Sequence, residues 1–214
     1  MSTGHDWYFD FISPFAYLQW MRLRRDHPEL RLRPRPLLLA GLLKHWGQLG
    51  PAEIAGKRRH TYRLALWQAR QLQIPLRFPP AHPFNPLPAL RLALAAPDLP
   101  LAVNLLFRHL WERGLAGDSA EALATVAAEL GIDDVAAALA RDDIKRRLAD
   151  TGAEAIALGV FGVPTLVIDG QLFWGNDATG MALQFLGHAA LFDDPEMRRL
   201  DALPFAAQRP GTRT

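Results

Sequence analysis

Asp169-Gly170 stands between two short apolar runs, Thr165–Ile168 and Gln171–Trp174. A two-residue Asp-Gly link tolerates positive φ at both positions and suits a tight hairpin whose twist matches its strands. Both runs are therefore predicted as paired antiparallel strands. Near the other end, Trp7–Ile12 reads WYFDFI, aromatic and β-branched apart from Asp10, the pattern of a buried strand. Ser13-Pro14 follows, and Phe15, Leu18, Met21 and Leu23 then fall near helical spacing until His27-Pro28. Ser13 suits an N-cap. Pro14 suits the first helical position, where its missing N–H costs nothing. Leu30–Leu39 alternates apolar and basic residues and is predicted as a second strand, confined to an edge by Pro34 and Pro36.

The middle reads differently. Ala40–Gln73 is mostly helical in pattern, with a break around Gly47–Pro51. Ile74–Pro88 holds six prolines and must be extended and irregular, yet it is too hydrophobic for a free linker. Ala89–Gly152 reads as several helices punctuated by Pro97, Gly114 to Gly117, and Gly131, with Asp118-Ser119-Ala120-Glu121 marking one helix start. Thr151–Leu158 is helical. Asn176-Asp177 leads into a helix over Met181–Leu191, and the tail from Pro204 to Thr214 is expected to fray. Both ends are thus α/β and able to share one sheet, with an all-helical segment inserted between them.

Composition removes several functions. Among 214 residues there is no cysteine, which excludes disulfides, thiolate metal sites, a cysteine nucleophile and CxxC redox chemistry. Lys plus Arg is 24 and Asp plus Glu is 22; a net charge of +2 makes no field suited to nucleic acid. The seven histidines show no metal-ligand spacing, so no metal is expected. No G-x-S-x-G surrounds Ser13, which argues against a serine hydrolase. The start of the chain lacks a basic region followed by an apolar stretch, and no apolar run reaches 18 residues. The expectation is a soluble cytoplasmic protein without membrane contact.

Four places carry candidate chemistry, each with a plainer reading beside it. Ser13 sits where a helix start exposes free N–H groups and partial positive charge, and its hydroxyl could donate to a bound anion such as a thiolate; the plainer reading is an N-cap. Val163-Pro164-Thr165 enters a strand through proline, either as an ordinary trans bond or as a cis bond turning Val163 N–H and C=O toward a ligand. Trp174-Gly175-Asn176-Asp177 is either turn-and-cap chemistry or a holder for the ammonium and carboxylate of an amino-acid-like ligand. Lys57-Arg58-Arg59-His60 is either a solvated helix face or a source of one cation for an anionic substrate.

Taken together, WYFDFISPFAYL, FGVPTLVIDGQLFWGND and HWGQLGPAEIAGKRRHTYR…IPLRFPPAHPFNPLPALRLALA resemble the 2-hydroxychromene-2-carboxylate isomerase family. That family is related to the kappa-class glutathione transferases and to DsbA-like thioredoxin folds. The resemblance runs from about Asp6 to Leu186. It implies a thioredoxin-like domain made of residues 1–39 and 153–214, with residues 40–152 as an inserted helical domain. It implies glutathione as cofactor, an aromatic acid as substrate and a homodimer. Ser13 falls where family members hydrogen-bond the glutathione sulfur. Val163 and Pro164 match the loop that pairs with the cysteinyl backbone, and Trp174, Gly175, Asn176 and Asp177 match the segment holding the γ-glutamyl end. For the substrate the resemblance points to Gln48, which replaces a family Asn, and to Lys57; His82 and Asn85 are further candidates. Phe15, Trp46 and Trp174 are candidate walls of the cleft. The implied activity is cis-trans isomerisation through a glutathione adduct. The alternatives are a kappa-like transferase or peroxidase, and a non-catalytic glutathione-binding relative.

The energetics suit such a role for Ser13. A free thiol ionises near pH 8.5. Lowering that value by about two pH units takes roughly 2.7 kcal/mol. A helix N-terminus contributes about 0.3–1 kcal/mol, or up to ~2 when partly buried. A hydroxyl donor to an anion adds about 1.5–3 kcal/mol, so dipole and hydroxyl together suffice.

Overall fold

The computed structural model describes residues 4–204 and Ala206. Of the tail expected to fray, only Pro204 and Ala206 are among the described residues.

The sheet has four strands: β1 (His5–Phe9), β2 (Leu32–Pro36), β3 (Thr165–Ile168) and β4 (Gln171–Trp174), in the order β2-β1-β3-β4. β1 runs parallel to β2 and antiparallel to β3, with Trp7 opposite Leu166. A parallel pair needs a crossover, and α1 (Pro14–Asp26) supplies it. β2 lies at the edge, where its two prolines cost no ladder donors. β3 and β4 form the expected hairpin, with Asp169 and Gly170 both at positive φ.

β1 is displaced from the expected strand. It begins at His5, whose N–H donates to Arg31 O, and stops at Phe9. The physical reason is Asp10: its carboxylate accepts the Ile12 N–H, so the chain turns just where the apolar run WYFDFI suggested continuation.

The remaining helices are α2 (Leu39–Trp46), α3 (Ala55–Gln71), α4 (Leu87–Ala95), α5 (Leu99–Phe107), α6 (Ala124–Glu129), α7 (Val135–Ala140), α8 (Asp142–Ala157), α9 (Thr179–Gly187) and α10 (Pro195–Asp201). A π turn, Arg108–Glu112, extends α5. Ser119 does cap a turn, accepting from Ala122 N–H, but regular helix begins only at Ala124. α9 starts two residues before Met181 and gives way to a 3-10 turn at Ala189–Asp193. α10 follows Asp194, whose side chain accepts from the N–H groups of Glu196 and Met197. α8 runs unbroken across residues 152 and 153, the place expected to divide the two domains, and packs on both α4 and β2.

One continuous core joins the sheet to the helical segment. Trp7 and Phe9 point to one face of β1. Trp7 stacks on Phe9 at 4.6 Å and on Trp20 of α1 at 5.1 Å, while Phe107 of α5 lies 5.6 Å from Phe9 and 4.7 Å from Phe11. Tyr8 faces the other way, with Leu37, Leu42, Ala155 and Val160. This alternation is the period of two that a central strand requires. The shared core holds the β1–α1 corner rigidly against the helices, and that corner carries Ser13.

Candidate active site

A cavity of about 530 Å³ opens where the β1–α1 corner, the loop after α2, the face of α3, the Pro-rich segment and the β3–β4 hairpin converge. Its lining is mainly apolar with a few convergent polar groups, the usual make-up of a small-molecule site.

Ser13 is buried and lines this cavity. Its Oγ accepts from Ala16 N–H at 3.2 Å and its carbonyl accepts from Tyr17 N–H. The two readings of Ser13 are thus compatible. Capping uses a lone pair, and the hydroxyl proton has no acceptor among the described residues.

Beneath the corner lies Asp10, fully buried. One carboxylate oxygen accepts from Ile12 N–H at 3.0 Å, the other from Leu39 N–H at 2.8 Å. Leu39 is the first residue of α2, a helix with no side-chain cap of its own, so Asp10 ties the start of α2 to the residue before Ser13. Burial pushes the carboxyl up to about 7, against the opposing pull of its N–H donors.

The turn after β4 forms a second wall. Gly175 has φ +94°, and a Cβ there would collide with the Asp177 carboxylate. Buried Gln19 of α1 fixes the turn: it accepts from Trp7 Nε1 at 2.7 Å and donates to Gly175 O at 3.0 Å and Thr179 Oγ1 at 2.9 Å. Asn176 is buried and donates through Nδ2 to Gln68 Oε1 of α3 at 3.0 Å. Its Oδ1 is buried yet has no hydrogen-bond partner among the described residues. An unpartnered buried acceptor is costly, and this one belongs to a residue of the cavity lining. Trp174 is half exposed and meets Phe161 edge-on at 5.1 Å. It lies against Gly162, where a Cβ would strike its indole.

Val163 lines the cavity as well, and the Val163–Pro164 peptide is cis. Neither the N–H nor the C=O of Val163 enters a backbone pair among the described residues. Pro164 O accepts from Gly175 N–H at 2.8 Å, joining the loop before β3 to the turn after β4.

The substrate candidates divide. Gln48 and His82 line the cavity. Lys57 and Asn85 do not. Lys57 is exposed on the first turn of α3, and Asn85 spends its Oδ1 on Leu87 N–H at the start of α4. Of the candidate walls, Phe15 and Trp174 line the cavity, whereas Trp46 donates its Nε1–H to Val160 O outside it. Tyr62, Gln68 and Gln19 had no local signal, since each owes its place to partners on distant segments. Among the described residues no group of His, Asp or Glu could hold a metal, and no helix is long and apolar enough to cross a membrane.

Comparison with known proteins bears on this geometry. Residues 6–187 match the DSBA-like thioredoxin domain. The chain is 31% identical over 189 residues to a 2-hydroxychromene-2-carboxylate isomerase of Pseudomonas putida, covering 85% of this chain and 93% of that protein. It belongs to the 2-hydroxychromene-2-carboxylate isomerase family, within the DsbA-like thioredoxin proteins. A solved structure of 2-hydroxychromene-2-carboxylate isomerase superposes with a TM-score of 0.77 at 26% identity, covering 94% of this chain and 100% of that one. More distantly, the chain is 25% identical over 201 residues to glutathione S-transferase kappa 1 of Rattus norvegicus, covering 84% and 89%. Membership of this isomerase family supports an isomerase enzyme. It also accounts for the sheet: a β-α-β unit from one end and a β-β-α unit from the other, with helices between.

Proposed function

We propose that this chain is a glutathione-dependent isomerase acting on 2-hydroxychromene-2-carboxylate or a similar aromatic-derived acid. The observation that carries this reading is unspent hydrogen-bonding capacity along one cavity: the Ser13 hydroxyl proton, both backbone groups of Val163 and the buried Oδ1 of Asn176. That set fits a tripeptide thiol. Oδ1 of Asn176 and the Asp177 carboxylate, both of residues in the cavity lining, suit an ammonium; the two groups of Val163 suit an extended peptide backbone; and Ser13 suits a thiolate at the start of α1.

Glutathione, when bound, would supply a nucleophilic thiolate able to add reversibly to a conjugated acid, and would be recycled rather than consumed. The protein's part is to keep that thiol ionised and the acid oriented. Ser13 donates to the sulfur, and the helix start adds its partial charge. Phe15, Trp174 and Phe161 exclude water from the aromatic ring. For the substrate carboxylate, Arg58 joins Lys57 as a candidate: both are exposed near the start of α3 and outside the cavity lining, and Arg58 stands one helical turn before Tyr62, which lines it.

The relatives named glutathione S-transferase support one other reading, in which glutathione is consumed. The test uses 2-hydroxychromene-2-carboxylate with a sub-stoichiometric amount of glutathione. Turnover beyond the glutathione added supports the isomerase, and one-to-one consumption supports the transferase. Ser13→Ala should lower turnover at least ~10-fold while melting within the cost of a lost cap, about 1 kcal/mol. Undiminished turnover in that variant would rule out Ser13 as the hydrogen-bond donor to the thiolate.

A further inference from the structure

His82 and Tyr62 form a closed hydrogen-bonded pair on the cavity wall. His82 Nε2 lies 2.8 Å from Ile12 O, a carbonyl that only accepts, so Nε2 carries a proton. Nδ1 is then free to accept, and the Tyr62 hydroxyl lies 2.6 Å from it. The same hydroxyl lies 2.7 Å from the His82 carbonyl. Tyr62 therefore has one proton and two acceptors on a single residue.

That surplus gives the pair two states with the same heavy-atom positions. With His82 neutral, Tyr62 donates to Nδ1. With His82 cationic, Nδ1–H donates to Tyr62 Oη, and the hydroxyl turns its proton to the His82 carbonyl. Only one hydroxyl hydrogen rotates. Around the imidazole, the titratable and charged groups among the described residues are Tyr62 and Arg58, both from α3; the β1–α1 corner presents the Ile12 carbonyl. Phe78, Phe84 and Trp111 enclose the other sides. This apolar cage, with Arg58, favours the neutral ring and holds its pKa below the ordinary histidine value, leaving a base ready at neutral pH.

We propose that Tyr62 and His82 are a proton relay for the substrate oxygens, with Tyr62 the catalytic residue and His82 the proton store. The proposal rests on the isomerase reading above. A 2-hydroxychromene-2-carboxylate is a cyclic hemiketal. Ring opening breaks its C2–O(ring) bond, turns the C2 hydroxyl into a carbonyl and leaves the electron pair on the aryl oxygen. The hydroxyl proton passes to Tyr62 Oη as the Tyr62 proton moves to His82 Nδ1. The relay then runs backward: His82 returns its proton to Tyr62, which delivers one to the aryl oxygen. One proton leaves the substrate and one returns, with no oxidant, reductant or net charge needed.

The test compares wild type, Tyr62→Phe and His82→Gln. Tyr62→Phe keeps the ring that packs on Phe78 at 4.6 Å, so its fold is preserved. Three quantities are read: glutathione affinity by calorimetry, kcat against pH, and the His82 tautomer by nitrogen NMR. The relay predicts the Nε2–H tautomer in wild type and a kcat at least ~100-fold lower in Tyr62→Phe. Glutathione affinity should stay within about threefold. It also predicts that the acid limb of the wild-type kcat profile, where His82 protonates, is lost in both variants. Turnover that survives Tyr62→Phe, or a wild-type Nδ1–H tautomer, overturns the relay while leaving the isomerase reading intact. A wild type that neither binds glutathione nor isomerises the hemiketal overturns both.

Discussion

Replacing Asp10 with Asn should change how stability depends on pH, and the size of the change follows from burial. The carboxyl rises from its ordinary value of 3.8 to about 7 in the folded protein, chiefly through desolvation. At about 1.4 kcal/mol for each tenfold change in ionisation constant, that rise corresponds to roughly 4 kcal/mol. Between pH 3.8 and about 7 the folded chain holds more of this proton than the unfolded chain does. Stability from this group is therefore complete below pH 3.8 and is lost as pH climbs through about 7. Asparagine keeps one acceptor and cannot ionise. It turns its NH₂ toward one of the two N–H groups now bound, from Ile12 and Leu39. That mismatch costs about 1–3 kcal/mol at every pH. The constant part drops out when urea unfolding of Asp10→Asn and wild type is compared from pH 4.5 to 8.5. The variant should gain on wild type by about 3–4 kcal/mol across the series. A difference that stays flat within 1 kcal/mol would refute the claim that burial, outweighing the backbone N–H groups that oppose it, governs this carboxyl.

Gly175→Ala puts a methyl group against the Asp177 carboxylate at φ +94°. It should cost about 1–3 kcal/mol in thermal unfolding and weaken glutathione binding about tenfold or more, read by calorimetry. Gly180→Ala, in α9 with open space around it, is the control and should be neutral or stabilising by up to ~1 kcal/mol. Gln19→Leu strands Trp7 Nε1–H and Gly175 O inside the protein. It should destabilise by about 2–5 kcal/mol in urea, and a loss below 1 kcal/mol would mean that Gln19 does not hold the turn.

Much of the cavity's local geometry was legible because it is tied to short-range conformation. Ser13-Pro14 opens α1, Gly175 takes the left-handed turn, and Asp169-Gly170 closes the hairpin. Each follows from short-range sterics acting on neighbouring residues. What the structure places differently from expectation is also local in origin. An aromatic run suggested that β1 continued to Ile12, but the buried carboxylate at Asp10 captures a backbone N–H and turns the chain. Lys57 stood out in a basic cluster, yet the helical phase of α3 turns Thr61, Tyr62, Leu64 and Gln68 toward the cavity and leaves Lys57 outside its lining. Asn85 stood out among prolines and proves to be occupied at the start of α4.

What the amino-acid sequence determined alone was the set of elements, and the absence of any sulfur nucleophile in the chain, since turn residues, caps and side-chain period act over a few positions. What the tertiary structure decided was which groups meet and which of them lose their solvent. Asn176 finds Gln68 across 108 residues and keeps one acceptor unspent; Tyr62 finds His82; Asp10 loses its water. Hydrogen-bond satisfaction and desolvation belong to the packed interior, and no spacing along the chain encodes them.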